Sequence, residues 1–452
     1  MTQASVVTGA ADKASISRME QMRQQLLLSF IAALVVLQIQ IKVSTAANGN
    51  DRISTALYTL YAAGLSVVCI KYFLRNAKTV LTTPAGATFL VYLLWITASV
   101  IWSINKFETL LLSSPLYLAL FLSISFADIR PKLSVTYILL VACFVAILSW
   151  PVALIFPSFG TSRPFNMWRL QGIMIYCQPL SLFMSLAGLC LVLARFRGEL
   201  DIKFQDRRFW FVALLIGATA LATKARAFTT FAIVALVVTF YVSFSRKAKI
   251  ALVLFVAAVI FFIATHPQIL IDIYQRGGAE DLTLSGRVGI WISSLAKIRH
   301  RPWLGYGFAS FSPQLVGNFF SDYVPPHAHN TWIQAAFETG IIGAILVTIF
   351  MGTIVVTGIL YYRRYHKPNY SLVLMIFAAF CGLTGVVFGY KLVPSAGLIL
   401  LLAVQEAYQA RLMSRQRRKI RATTSLKGRR MAHAPQVLAG QPDSGSDCAR
   451  AD

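Results

Sequence analysis

With 452 residues, 57% of them hydrophobic and only 13% charged, the chain is too apolar for a soluble globular protein. Its formal charge of +25, from 42 Lys and Arg against 17 Asp and Glu, first suggests nucleic acid. The cations lie in short stretches between apolar runs, which argues against that partner and for a membrane protein that follows the positive-inside rule.

In chain order, residues 1–23 form a polar, helix-prone tail expected to stay in the cytosol, without the look of a cleavable signal peptide. Apolar runs long enough to cross a bilayer then recur, about twelve in all, at roughly 24–42, 53–74, 84–103, 109–127, 133–156, 173–194, 209–224, 227–245, 248–266, 335–361, 370–390 and 394–410. The expected fold class is an all-α polytopic membrane protein, a single bundle over 24–410 with one long periplasmic loop at 267–329 that contains short helices. Every short loop placed in the cytosol is basic, including Lys71 to Lys78, Arg130 with Lys132, Arg195 to Arg208, Arg246 to Lys249 and Arg363 to Lys367. Residues 411–452 form a basic cytosolic tail, expected to fray, whose stretch from Arg415 to Arg430 suits anionic lipid headgroups. Five of the six cysteines lie in spans and Cys448 in the tail, with no CxxC pair, so no disulfide framework is expected.

Two outer segments exceed a simple turn. The first, 156–172, carries Arg163 and Arg169. In the second, Ser285-Gly286 can cap a helix that begins near Arg287, with Ile290, Trp291, Ser294, Leu295 and Ile298 on one face and His300-Arg301-Pro302 at its end. That helix is amphipathic and bears a tryptophan, as a helix lying flat on a membrane would. The aromatic, glycine-rich stretch from Trp303 to Phe308 suits an interfacial turn or a sugar platform. Pro325-Pro326 prevents helix before His327, and the next helix starts near Asn330. There Asn330, Gln334 and Glu338 recur at i, i+4 and i+8 as a polar stripe, and Gly340 and Gly343 would let a neighbouring helix approach closely.

Among these residues His329 is the candidate general base, since an imidazole at the membrane edge titrates in the useful range; a capping histidine is the ordinary alternative. Arg226 interrupts apolar sequence on the outer side, where cations are disfavoured, and a guanidinium fork suits phosphate; a snorkelling side chain at a turn is the alternative. Arg287, in the first turn of its helix, and Arg169 share that phosphate logic. Glu338 could orient His329, contact sugar hydroxyls or pair with an arginine. His327, His329 and His300 could approach a metal, but no cysteine or carboxylate cluster completes a known ligand spacing, so neither metal nor cofactor is expected. Outward cations with one base suit a lipid-linked diphosphate, and the chain has no GxxxxGK[ST] loop or Asp-x-Asp pair to hold a nucleotide.

The pattern His329-Asn330, then Gly340 and Gly343, resembles the signature of the O-antigen ligase and polysaccharide polymerase family. Ser285-Gly286-Arg287 with Trp291, followed by Arg301-Pro302-Trp303-Leu304-Gly305-Tyr306-Gly307, is similar to the loop of its exopolysaccharide-polymerase branch. Arg226 matches the arginine that usually follows a serine there, although Ala225 precedes it here, and Arg169 with Gly172 resembles an earlier segment of the family. The resemblance implies a metal-independent, inverting transfer from an undecaprenyl-diphosphate-linked glycan at the periplasmic face of a bacterial inner membrane, with His329 catalytic and Arg226, Arg287 and Arg169 on the diphosphate. Its partners would be that glycan, a glycan acceptor and membrane lipids; a flippase or chain-length regulator is a candidate companion, and nucleic acid is not. The expectation is therefore a polymerase of exopolysaccharide repeat units. A ligase that transfers the glycan to a lipid A core, and a transporter of lipid-linked sugars, stay open beside it.

Overall fold

The computed structural model describes residues 19–35, 49–162, 168–200, 206–241, 287–311 and 325–432 with isolated positions between; side chains are described from residue 55 in the second helix and up to residue 416 in the last. The tail before residue 19, Arg163, most of the expected span 248–266, the Ser285-Gly286 cap and the chain beyond 432 lie outside the described residues.

Each expected span other than 248–266 is met by a helix. Besides the single turn Pro157–Gly160, the described helices of ten residues or more are α1 (19–35), α2 (Gly49–Leu81), α3 (Pro84–Ala98), α4 (Lys106–Ser125), α5 (Pro131–Ile155), α6 (Cys177–Phe196), α7 (Arg207–Ala222), α8 (Arg226–Phe240), α9 (Arg287–His300), α10 (Thr331–Tyr365), α11 (Tyr370–Gly382) and α12 (Pro394–Ala432). Among the described residues six helices are long and apolar enough to cross a membrane, α2 to α6 and α10, and α8 and α11 are shorter apolar helices. The fold is all-α and polytopic, with fewer full-length crossings among the described helices than the dozen read from hydropathy. The strands described, β1 (Thr161–Ser162) and β2 (Arg169–Leu170), form one antiparallel pair. The chain divides into two compact units, 1–408 and 409–452. In the second, α12 continues as helix to Ala432, where the sequence suggested fraying.

Local chemistry sets the helix starts. Thr83 accepts from the Gly86 amide with Pro84 at the first position of α3; Asn105 caps α4 through the Glu108 amide; Asp206 caps α7 through the Arg208 amide. In α4, Pro115 removes the donor that would serve the Leu111 carbonyl, and the Ser114 hydroxyl donates to that carbonyl instead at 2.9 Å. Aromatic contacts join neighbours: Phe73 of α2 stacks on Phe121 of α4 at 4.1 Å, and Phe89 of α3 meets Phe350 of α10 at 4.7 Å.

The end of the bundle remote from His329 is locked by two carboxylates, the half-buried Asp128 and the buried Glu406. Asp128 accepts from Arg23 (2.6 Å), Asn76 (3.1 Å) and Arg75. Glu406 of α12 accepts from the Tyr370 and Ser371 amides (2.8 and 2.9 Å), and so satisfies the first turn of α11.

At the other end, α10 is broken at Gly340, whose φ of 73° and ψ of 179° interrupt the helical ladder. A Cβ at Gly340 would overlap the Trp303 carbonyl, so it is a loop backbone that packs there, not the neighbouring helix expected from the sequence. A Cβ at Gly343 would overlap its own helix's Thr339 side chain, with the Trp95 indole of α3 next nearest. The groups freed by the break are re-paired. The Phe337 and Glu338 carbonyls accept from the Tyr306 and Gly307 amides (3.1 and 2.7 Å), the Thr339 carbonyl accepts from Trp95 Nε1 (3.0 Å), and the Ile341 amide donates to the Pro302 carbonyl (2.8 Å).

Gly340→Ala should therefore destabilise the protein by about 1–3 kcal/mol through backbone conformation alone, with the overlap adding to it. Gly352→Ala, in regular helix with nothing near the new methyl, should leave stability unchanged or raise it by up to about 1 kcal/mol. Thermal unfolding of both variants in detergent checks this; equal midpoints would contradict the break at Gly340.

Candidate active site

The site is built on the segment 325–330, which enters α10. Asn330 caps that helix, its Oδ1 accepting from the Trp332 and Ile333 amides at 3.0 Å each, while its Nδ2 donates to the Leu383 carbonyl at 3.2 Å. One turn on, Gln334 accepts from the Ala328 amide (2.7 Å) and donates to Glu338 (2.7 Å). The polar stripe seen in the sequence is thus a buried chain that pins the histidine segment to α10. Glu338 is fully buried and makes no ion pair among the described residues, so of the three roles open to it the pairing with an arginine is not seen there.

From the other side α9 closes on the same segment. Its Ile290, Ser294 and Ile298 are buried, whereas Leu295, expected on that face, is 48% exposed because the packed face follows a strict four-residue spacing. Trp291 Nε1 donates to the Ala328 carbonyl at 2.9 Å. Tyr306 and Phe308 are buried in the packing that follows, which removes them from any sugar platform; Trp303 remains 65% exposed.

His329 has a left-handed backbone, φ 50°, rare for a residue with a side chain and held here by the bonds of its neighbours. Burial, and then the charge of nearby Arg287, lower its pKa from the usual 6.5 to about 4, so the imidazole is neutral at pH 7. His327 lies 4.1 Å away between ring centroids, and burial, His329, Lys391 and Arg287 hold it well below the usual range. The structure therefore brings Arg287 and His329 together.

Arg226 and Arg287 each open a helix, α8 and α9, and neither helix has an acidic residue in its first turn. The positive end of each helix dipole is thus left to add to a guanidinium. Two residues beyond Arg226, Phe228 packs near Gly385, whose carbonyl accepts from Thr331 Oγ1 at 3.5 Å. Arg169 stands on β2, 9% exposed, its Nε without a hydrogen-bond partner among the described residues. No described contact joins Arg169 to the histidines.

Sequence reasoning passed over Tyr390 and Lys391. Tyr390 donates to the Pro326 carbonyl (3.3 Å) and its ring lies 5.9 Å from that of His327; Lys391 Nζ is 5.4 Å from the Tyr390 ring centre. The available signal was a cation between two late spans, on the side where cations are disfavoured.

These features define an all-α polytopic membrane protein with a neutral histidine near Arg287. Residues 211–348 match the family model described as O-antigen ligase. The chain is also similar to the exopolysaccharide production protein ExoQ of Rhizobium meliloti (strain 1021), 30% identical over 91 residues, which is 18% of this chain and 21% of ExoQ. The aligned part thus spans about a fifth of that relative's length. Both findings support the O-antigen ligase and exopolysaccharide-polymerase-like family that the motifs implied.

A pH dependence follows from the depressed histidine. The folded chain takes up the His329 proton only near pH 4, whereas the unfolded chain does so near 6.5, so this contribution to stability is intact above 6.5 and is lost as pH falls towards 4. Thermal midpoints in detergent at pH 7 and pH 5 should show the drop, and His329→Asn should lessen it; an undiminished drop would place its origin elsewhere.

Proposed function

We propose that this protein is a membrane glycosyltransferase of the bacterial inner membrane that joins undecaprenyl-diphosphate-linked oligosaccharide repeat units into exopolysaccharide, at a site facing the periplasm. The supporting observation is a neutral, half-buried His329 near Arg287, at the entrance of a helix whose first two turns are clamped in place. In this reading the His329 imidazole accepts the proton of an acceptor sugar hydroxyl as that oxygen attacks the anomeric carbon of the donor. The bond from that carbon to the diphosphate oxygen breaks, the configuration inverts, and the diphosphate leaves as an anion on its lipid. Arg287 and Arg226, each with a helix N-terminus behind it, bind the departing charge, and Arg169 is a further candidate contact. Energy comes from the diphosphate ester itself, and in this reading the arginines, rather than a metal, take up the charge of the leaving group.

The electrostatics link binding to basicity. His329 is a weak base because it is partly desolvated and because Arg287 is near. A diphosphate beside Arg287 offsets that charge and raises the imidazole towards the range where it accepts a proton readily. The base would then be activated by the substrate that needs it.

Lipid-linked glycans from a deletion strain complemented with wild type or His329→Ala provide the test. Single repeat units should accumulate with the variant. Full-length polymer stranded on the lipid carrier would instead mean a ligase, with the acceptor on a lipid A core, and a wild-type profile would refute catalysis by His329 and favour transport. Arg226→Lys should keep no more than a few per cent of activity, on the order of the hundredfold loss that misplacing a reacting group produces, because a point charge lacks the bidentate fork. Full activity of that variant in the same assay would show that charge alone suffices.

A further inference from the structure

His327 has no role in the transfer as written, yet it lies closer to His329 than any other ring described. We propose that His327 is a positioning residue: its Nδ1 accepts the His329 backbone amide at 3.1 Å and thereby fixes the left-handed turn that aims the His329 imidazole. This rests on the reading of His329 as the base.

The backbone around His329 shows why that bond matters. The Ala328 amide and carbonyl are committed to Gln334 and Trp291, and the Asn330 carbonyl accepts from the Gln334 amide at 2.9 Å. Both flanks of His329 are therefore anchored to helices. The His329 amide is anchored to the His327 ring, and with φ at 50° it belongs to the residue that bears the strained backbone. Without that bond the residue can relax towards the ordinary φ range and swing its ring away, since the strain favours release.

An acceptor at Nδ1 has a chemical requirement. Neutral imidazole has one acceptor nitrogen, and the proton must then sit on Nε2; imidazolium has none. The groups that face His327 are suited to this. Arg287 comes from α9, Tyr390 and Lys391 come from the segment before α12, and His329 lies on its own strand of chain. Two of them are cations and none is a carboxylate, so the surroundings favour the uncharged ring with its lone pair available. A metal pair would use that same lone pair for a ligand, whereas here it is already engaged by an amide.

Side-chain geometry supplies the test. An asparagine oxygen can stand near the place of Nδ1, while a glutamine oxygen reaches towards Nε2 and alanine offers nothing. The full-length chain with His327→Asn, His327→Gln, His327→Ala or His329→Ala is placed in isolated membranes with their endogenous lipid-linked glycans, and the initial rate of polymer growth is measured per folded molecule, counted by size-exclusion in detergent. His327→Asn should stay within a fewfold of wild type. His327→Gln and His327→Ala should fall about tenfold to a hundredfold, the range expected when a reacting group is misplaced by an ångström or so. If His329→Ala is inactive while all three His327 variants turn over alike, or if the loss is confined to folded yield, the positioning role is overturned and the base stands. If His329→Ala matches wild type, the base assignment fails, and the positioning role fails with it.

Discussion

A backbone carbonyl within or beside a membrane has no water to turn to, and that constraint governs the working end of this protein. Once α10 breaks at Gly340, carbonyls at 337, 338 and 339 and an amide at 341 need new partners. They find them in the turn 302–307 and in the Trp95 indole. The turn could not approach so closely if Gly340 or Gly305 carried a side chain, because each would drive a methyl into the opposing backbone. Trp102 Nε1 adds a bond to the Leu304 carbonyl at 2.8 Å, and the Thr109 hydroxyl one to the Phe308 carbonyl at 2.6 Å, so the turn is fastened to α4 and to the end of α3 as well. The histidine segment inherits this rigidity through Gln334 and Glu338, which lie on the clamped part of α10.

The electrostatic design is equally local. A cation attracts an anion but also weakens a base beside it: burial first, and then the charge of Arg287, lower the pKa of His329. In the proposed function, an anionic substrate would offset that charge and restore the basicity. The opposite end of the bundle uses the reverse arrangement, where Asp128 and Glu406 are already satisfied by arginines and backbone amides within the fold.

Much of this was legible in the sequence wherever the signal was local. Thr83-Pro84, Asn105 and Asn330 announce helix starts because capping depends on residues a few positions away. The position of Arg287 before an amphipathic run, and the four-residue spacing of Asn330, Gln334 and Glu338, likewise follow from a single helix. What the sequence withheld was pairing across distance. Gly340 reads as a packing notch, as a small residue in a span does, and only the approach of the Trp303 backbone reveals a break. Trp95 serves a carbonyl 244 residues away, and Tyr390 a carbonyl 64 residues back. Hydropathy also marks an apolar run without giving the length of its helix, and among the described residues six helices have the length of a crossing.

The sources of these compensating bonds bear on how the chain assembles during synthesis. The groups exposed by the break in α10 are met by Trp95 and by residues 302–307, all made before Gly340 leaves the ribosome. The first turn of α11 differs, because it has no acidic residue of its own and is satisfied by Glu406, which is made 35 and 36 residues later. α11 therefore enters the membrane with two amides waiting, and it completes its hydrogen bonding only once the following helix arrives. The last two helices are in this sense a single unit: a chain truncated between them would leave the two amides at the start of α11 without their carboxylate, and would remove Tyr390 and Lys391 from the histidine end as well.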